Sequence, residues 1–165
     1  MASTPSCLAQ VRTQTSFIAR AKEAGDAQVL IGPFTSAGKF DKCLEDAELE
    51  CTAIGKDGAS IEFVVTSLSA NNFGTLHGGF ISTVVDVVGT LALLGIDPSR
   101  AGVSVEMNQS FCSAAKVGER VRAVGTVLRY GRTLGFTEVE IKLINEQGEP
   151  GRTVAVGRHT KFFPS

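Results

Sequence analysis

One long apolar run constrains the fold of this chain more than any other feature. The sixteen residues from Ile81 to Ile96 contain a single charged side chain, that of Asp86. The run is longer than a typical strand, so it predicts a helix over about 80–95, and Asp97-Pro98 ends it because the position before proline disfavours helix. Sixteen interrupted residues are too few to span a bilayer. Other parts of the chain must therefore cover this helix on most of its surface.

Candidate strands lie on both sides of the run. Two precede it, at about 43–55 and 59–68, and the Asp-Gly pair between them is typical of a hairpin turn. Four follow it, with the period-two alternation of strands, at about 101–113, 119–130, 133–145 and 152–163. Short connections between consecutive strands indicate an antiparallel sheet. The predicted fold class is α+β, a curved antiparallel sheet of five to six strands wrapped around one central apolar helix.

Composition and charge describe an ordinary globular chain. Its 165 residues are 43% hydrophobic and 20% charged, which favours one domain with a real core. The net charge of −1 argues against a bulk nucleic-acid binder. Residues 1–115 hold seven basic and twelve acidic residues, whereas residues 116–165 hold nine and five. The basic C-terminal third suits a phosphorylated small ligand, and it fits solvated strand faces equally well.

The first forty residues differ from the rest and predict a separate N-terminal helix and loop (1–40) ahead of the main domain (41–165). Residues 1–22 are rich in Ser and Thr, with basic residues and no acid. This composition resembles a transit peptide, although the apolar spacing favours a surface helix.

The four cysteines form no Cys-x-x-Cys pair and have no histidines at metal-binding spacing; they are Cys7, Cys43, Cys51 and Cys112. The pattern predicts reduced, partly buried thiols and no metal site. We therefore expect an intracellular protein, cytoplasmic or mitochondrial.

A narrow polar stripe interrupts the apolar helix. At 100° per residue, small and polar side chains fall on one face, namely Ser82, Thr83, Asp86, Gly89 and Thr90. Burying an unpaired carboxylate is expensive. Asp86 is therefore either satisfied by Thr90 or backbone, or retained because chemistry requires it. The helix alone leaves both interpretations open.

Two glycines at the start of the helix point toward chemistry. The first turn of a helix has unpaired N–H groups, and Gly78-Gly79 would let a substrate carbonyl approach them closely. Such donors can hold the oxyanion of an acyl-transfer reaction. Asp86 lies about two turns further, roughly 11 Å along the axis. Gly78 and Asp86 of one chain cannot easily serve the same carbonyl, so the sequence predicts a dimer.

The segment Asn71–Asp86, with 102–108 and 157–161, resembles the PaaI-like hotdog-fold acyl-CoA thioesterases, and within them the acyl-coenzyme A thioesterase 13 (thioesterase superfamily member 2) group. The most specific element is His-Gly-Gly with Asp nine residues after the His, followed by Val-Ser-Val-x-Met-Asn. The likeness covers about residues 60–163, and the first sixty residues match poorly. It implies a hotdog fold, a homodimer or homotetramer, and hydrolysis of medium- to long-chain acyl-CoA to free fatty acid and coenzyme A without a cofactor or metal.

The resemblance also implies catalytic roles. Asp86 matches a general base or nucleophile, Gly78 a backbone N–H that polarises the thioester carbonyl, and Asn71 a residue that orients the water or the carbonyl. Ser104 matches a serine that places water beside the aspartate, although an ordinary strand serine would look the same. His77 matches a histidine that shapes the loop, and a hydrogen bond to backbone is favoured over direct acid–base work.

A second group is implied in substrate binding: Gly79, Glu106, Phe111, Arg129, Tyr130, Gly131, Arg132, Thr133, Leu134, Arg158, His159 and Lys161. Within it, the turn at 129–134 and the basic residues of 158–161 are expected to bind the coenzyme A nucleotide, since arginine forks suit phosphates. Two positions depart from the family pattern. Phe111 stands where tyrosine is common, and Phe162 where a polar residue can occur.

Two other functions remain as alternatives. A hotdog dehydratase or hydratase would use a histidine paired with an acid, but neither His77 nor His159 lies in an Asp-x-Asn-Pro-x-His motif. A non-catalytic acyl-CoA-binding module would be expected to lack Asp86, and a regulator would need a DNA-binding helix pair that the sequence does not show.

Overall fold

The computed structural model describes residues 39–164, which form a six-stranded antiparallel sheet around one helix. The elements are a 3₁₀ helix Phe40–Ala47, β1 Glu50–Gly55, β2 Gly58–Val64, α1 Gly78–Ile96, β3 Val103–Phe111, β4 Arg120–Tyr130, β5 Leu134–Ile144 and β6 Pro150–Phe162. The predicted N-terminal helix, the transit-peptide alternative and Cys7 lie outside the described residues. The domain division at residue 40 stays a prediction.

The sheet has the strand order β1-β2-β4-β5-β6-β3, and every neighbouring pair is antiparallel. α1 packs against all six strands and so forms the centre of the core. This arrangement confirms the predicted fold class. β1 and β3 are the edges of the sheet.

The first predicted strand begins too early. Residues 43–47 belong to the 3₁₀ helix, and β1 starts at Glu50. Leu44 and Ala47, three positions apart, are buried, whereas Glu45 between them is exposed. This period of three suits a 3₁₀ helix and not a strand. β2 likewise ends at Val64, four residues before the predicted end.

α1 begins and ends where its flanking residues dictate. The N-cap is His77, and the helix stops at Ile96, where Asp97 still donates its backbone N–H to the Leu93 carbonyl at 3.1 Å. The helix is long and apolar enough to cross a bilayer by length and composition, but 78% of its most apolar window is buried inside the fold. It is therefore a core helix, as the strands around it predict.

Glycines bring α1 close to the sheet. A Cβ at Gly89 would lie 2.7 Å from the hydroxyl oxygen of Thr137 and 3.0 Å from Nδ1 of His159. A Cβ at Gly157 of β6 would lie 2.8 Å from Val85. Both distances are shorter than van der Waals contact. The helix thus meets β5 and β6 at short range beside Asp86.

The edge strand β3 is exposed along almost its whole length. It pairs with β6 on one side only, and a bulge lies between Ser104 and Glu106. Val105 is 55% exposed and Phe111 58%. A strand with large apolar side chains and an unpaired edge is normally covered by something else.

Candidate active site

Asp86 is held by one of its two carboxylate oxygens. Oδ1 lies 3.3 Å from Oγ of Ser104, 3.4 Å from Nε2 of His159 and 3.9 Å from Nζ of Lys161. Oδ2 contacts no polar group within residues 39–164. The side chain is 46% exposed. The carboxylate is therefore anchored from the buried side and presents its other oxygen to solvent.

His159 supports this carboxylate through Ser104. Its ring is fully buried, Nε2 lies 2.8 Å from the Ser104 hydroxyl, and Nδ1 has no partner within the described part of the chain. Burial lowers the pKa of His159 below 6.5, opposed by the nearby charge of Asp86, so the ring is neutral. We assign its hydrogen to Nε2, because an unpaired lone pair on Nδ1 costs less than an unpaired N–H. Ser104 then donates its own hydroxyl to Asp86.

Ser104, His159 and Asp86 do not form a Ser–His–Asp triad. In a triad the serine and the aspartate bind opposite nitrogens of the imidazole ring. Here both face Nε2. The histidine can orient the serine, but it cannot pass a proton from serine to aspartate.

The side chain of Lys161, from β6, lies on the buried side of Asp86. It reaches Thr90, which is one helical turn after Asp86 on α1. Nζ donates to the hydroxyl of Thr90 at 2.8 Å, and Thr90 donates to the backbone carbonyl of Asp86 at 2.7 Å. The Lys161 side chain is 8% exposed. Thr90 thus contacts the backbone of Asp86, and not its carboxylate. The interpretation that Thr90 satisfies the Asp86 carboxylate therefore does not apply.

The small and polar side chains of α1 lie on one face of the helix, as the sequence predicts. This polar stripe faces β3, β6 and the 3₁₀ helix. Ser82 and Thr83 donate to the carbonyls of Gly78 and Gly79, each at 3.0 Å. Gln109 of β3 donates its amide to Ser82. These bonds satisfy the small side chains of the stripe locally and leave Asp86 as its one charged side chain.

The N-terminus of α1 keeps free donors. His77 accepts the N–H of Gly79 through Nδ1 at 2.9 Å. The N–H groups of Gly78 and Phe80 have no acceptor within residues 39–164. A Cβ at Gly78 would lie 3.4 Å from the ring of Phe111, so the aromatic side chain borders these donors. The turn can receive an oxyanion, and His77 makes the backbone bond that the sequence favours for it.

Asn71 organises the loop before α1. Its Oδ1 accepts the backbone N–H groups of Phe73 at 2.9 Å and Thr75 at 3.2 Å, and its Nδ2 lies 2.9 Å from the Thr75 hydroxyl. Within one chain, the hydrogen bonds of Asn71 stay inside this loop and do not reach Asp86.

The β4–β5 turn, residues 129–134, lies at the other end of α1. Arg129, Arg132 and Thr133 are exposed, and the Gly131 N–H donates to the Leu134 carbonyl at 2.8 Å. α1 rises about 1.5 Å per residue, so its last residue, Ile96, is about 15 Å from Asp86 along the axis.

Arg100 braces this turn. Its guanidinium lies 5.2 Å from the ring centre of Tyr130 and 4.2 Å from that of Phe163, and it donates to the Arg132 carbonyl. The Tyr130 hydroxyl lies 3.4 Å from Asp97 at the end of α1. The turn is therefore fixed to the body of the fold, with its two arginines free to meet a ligand.

The remaining predicted binding residues are divided between the two faces of the sheet. Glu106 lies on the outer face, where Asn108 and Thr160 donate to it at 2.7 Å and 3.2 Å. Arg158 lies there too, paired with Glu138 at 3.1 Å.

His159 and Lys161 instead point inward and are buried against Asp86, so the structure does not place them on a surface that phosphates could reach. Gly79 and Phe111 lie at the N-terminus of α1.

The position of His159 and Lys161 beside Asp86 was not predicted from the sequence. The signal was present, because period-two alternation along β6 puts both residues on the same face as the buried Ala155. Gln109 and its contact to Ser82 had no sequence signal that we can identify. Among the residues that the structure describes, no cluster of His, Cys, Asp or Glu is arranged to hold a metal ion.

The fold and this site together define a class of protein. A six-stranded antiparallel sheet wrapped around one central apolar helix is the architecture of the hotdog thioesterases. The chain belongs to the thioesterase superfamily, whose family model matches residues 73–149.

Similar proteins support this membership. Human acyl-coenzyme A thioesterase 13 is 40% identical over 134 residues, which is 81% of this chain and 91% of the human protein. The crystal structure of zebra fish thioesterase superfamily member 2 superposes with a TM-score of 0.75 at 33% identity, covering 85% of this chain and 97% of that one. The crystal structure of thioesterase superfamily member 2 from mouse superposes with a TM-score of 0.68 at 30% identity, covering 98% of this chain and 100% of that one.

These comparisons confirm the family resemblance and correct its extent. The match of 134 residues is longer than the segment 60–163 and must begin well before residue 60. The matched segment therefore extends into the first sixty residues.

Proposed function

We propose that the chain hydrolyses acyl-coenzyme A thioesters to the free acid and coenzyme A, with Asp86 as the catalytic carboxylate. The named activity of its relatives supports the reaction. The observation that carries the role of Asp86 is its asymmetric environment, because three groups anchor Oδ1 while Oδ2 stays open.

The geometry suits attack by water. Water bound at Oδ2 gives a proton to Asp86 as its oxygen attacks the thioester carbonyl carbon. The carbonyl oxygen becomes an oxyanion and accepts N–H bonds from Gly78 at the start of a helix. The carbon–sulfur bond then breaks, coenzyme A leaves as its thiolate and receives the proton, and the acid is released. Ser104, which the hydrogen of His159 keeps pointed at Asp86, fixes the position of the base.

Asp86→Asn tests this role. The amide keeps the shape and removes the basicity, so kcat should fall by roughly 10²–10⁴ while substrate binding is retained. The matched control is Asp57→Asn, the same change in an exposed carboxylate of the β1–β2 turn, which should leave kcat within about twofold. Near-normal turnover by folded Asp86→Asn protein would remove Asp86 from the mechanism. Thiol release should be followed over acyl groups from short to long, because the structure sets no chain length.

We also propose that two chains build each site. Gly78 and Asp86 lie about two turns apart on α1, so one carbonyl must receive them from different chains. The exposed edge strand β3 carries Ser104 and brings apolar Val105 and Phe111 to the surface. Pairing of two β3 edges would cover these side chains and bring one chain's donors to its partner's carboxylate.

Subunit mixing tests the shared site. Asp86→Asn and Asn71→Ala chains should each be nearly inactive, because one lacks the base and the other lacks the residue that shapes the loop before the donors. Heterodimers restore one intact site, so an equal mixture should recover about a quarter of the activity of the unmodified protein. No recovery after subunit exchange, verified by mass, would place the whole site in one chain.

The β4–β5 turn is the proposed contact for the phosphates of coenzyme A. Arg129 and Arg132 are exposed there on a braced turn. Arg132→Ala should raise KM for acyl-CoA severalfold with kcat nearly unchanged, since a phosphate contact is made equally in ground and transition states. The control is Arg120→Ala, an exposed arginine of β4 that is paired with Glu62 and has no proposed contact to the substrate. Equal slowing of acyl-CoA and of a short thioester without the nucleotide would show that Arg132 has only a structural role.

The hydratase alternative meets one favourable observation and one that opposes it. His159 lies 3.4 Å from Asp86, the pairing of histidine and acid that such an enzyme needs. The ring is fully buried, however, and Ser104 occupies Nε2. It cannot reach a substrate carbon, so the pair supports hydrolysis by Asp86 instead.

A further inference from the structure

The geometry points to Lys161 as a positioning residue that lies on the buried side of the Asp86 carboxylate and stabilises its negative charge. This inference rests on the proposed function of Asp86. Of the three groups around Oδ1, Ser104 and His159 are neutral, and Lys161 brings the positive charge.

Two hydrogen bonds fix the ammonium of Lys161. Nζ donates to Thr90 at 2.8 Å, and Thr90 itself donates to the Asp86 carbonyl at 2.7 Å. Nζ therefore stays 3.9 Å from Oδ1, beyond hydrogen-bond distance, and acts on the carboxylate as a charge. Because the cation lies on the Oδ1 side, it leaves Oδ2 directed to the open side.

The charges around Lys161 come from three elements. α1 presents Asp86, the 3₁₀ helix presents Asp41, and β6 presents the neutral His159. Burial lowers the pKa of Lys161, while the two carboxylates raise it. Burial and the neighbouring Asp86 raise the pKa of Asp41, and Lys161 lowers it. The catalytic carboxylate and Asp41 thus share one buried cation and repel each other.

This arrangement predicts opposite effects of removing the two charges. Without the cation, ionised Asp86 is less favourable, so activity should be lost at a higher pH. Without Asp41, a repelling charge disappears, and activity should persist to a lower pH. Residues that merely support the fold would change the amount of active protein and leave the pH dependence where it was.

The experiment is the pH profile of kcat/KM for acyl-CoA in the full-length chain. Lys161→Met keeps the length of the side chain, and it should move the midpoint of the acidic limb upward by about one pH unit. Asp41→Asn should move it downward by a few tenths of a unit, the smaller effect of a more distant, half-exposed group. The control variants are Lys142→Met on the outer sheet face and Asp57→Asn in the β1–β2 turn, and neither should move the limb.

Each outcome decides the question. Lower activity with unmoved midpoints in Lys161→Met and Asp41→Asn would reduce both residues to structural roles. Should Lys161→Met fail to fold, Lys161→Gln, which removes the charge and keeps a donor for Thr90, decides in its place, and an unmoved or lowered midpoint overturns the inference. Failure of the proposed function looks different, because Asp86→Asn would then be active. If Asp86→Asn is inactive and the acidic limbs of the two other variants do not move, only the role of Lys161 is rejected and the proposed function stands.

Discussion

Gly89→Ala should damage the site more than the fold. The added Cβ would lie 2.7 Å from the Thr137 hydroxyl and 3.0 Å from the His159 ring, both on buried residues that cannot turn away. A normal contact requires about 3.5 Å, so α1 must move from the sheet by about 0.8 Å at this point. That displacement falls beside Asp86, which lies three residues earlier on the same helix.

The magnitude follows from two opposed terms. Alanine is better than glycine in a helix interior by about 1 kcal/mol. Overpacking a buried contact costs about 1–3 kcal/mol. The net loss should be about 1 kcal/mol, at most about 2, which lowers Tm by about 2–8 °C in a chain of this size. The contacts of Asp86 to Ser104 and His159 would lengthen by a similar distance, and kcat should fall roughly 10- to 100-fold.

The assay combines thermal unfolding with thiol release at saturating acyl-CoA. The matched control is Gly55→Ala, where a Cβ meets nothing within 4 Å and the backbone is not left-handed, so stability and turnover should both be retained. Gly89→Ala protein that is more stable than the parent, by the gain in helix propensity, and fully active would refute the close approach of α1 to the sheet.

Three further results are expected. Burial lowers the pKa of His159, so the stability from burying its neutral ring is complete above about pH 6.5 and declines as pH falls through the folded value; urea unfolding should show this acid-side loss, and His159→Gln should remove it. His77→Ala removes the cap acceptor for Gly79 and should lower the free energy of unfolding by about 1 kcal/mol, measured by urea titration. Ser104→Ala removes the donor to Asp86 and should lower kcat roughly tenfold with KM little changed in steady-state assays.

Much of the fold could be predicted because the chain has one long apolar run and clear alternation elsewhere. The length of the run identified α1, and helical periodicity placed Asp86 on the polar stripe that faces β3 and β6. The 3₁₀ helix was mistaken for a strand because a short segment with Leu44 and Ala47 buried carries too few residues to separate a period of three from one of two.

The site was less predictable because it depends on packing between distant strands. Alternation along β6 places Arg158 on one face of the sheet and His159 and Lys161 on the other. The sequence cannot show that His159 and Lys161 contact Asp86, which lies on a helix some seventy residues earlier. That contact depends on Gly89 and Gly157, which let α1 approach the sheet. Glycines in a sequence do not reveal which backbone comes close to them.

The place of α1 in the chain has a consequence during synthesis. The helix ends at residue 96, yet β3, β4, β5 and β6, which cover most of it, extend to residue 162. At about 5–20 residues per second, translation of those 66 residues takes roughly 3–13 s. For that time a 19-residue helix, apolar enough by composition to enter a bilayer, has among the elements that the structure describes β1, β2 and the 3₁₀ helix to pack against. We expect the nascent chain to depend on chaperones that hold exposed apolar segments, and variants that slow the docking of the last strands to be lost as insoluble protein before any fault in catalysis can be seen.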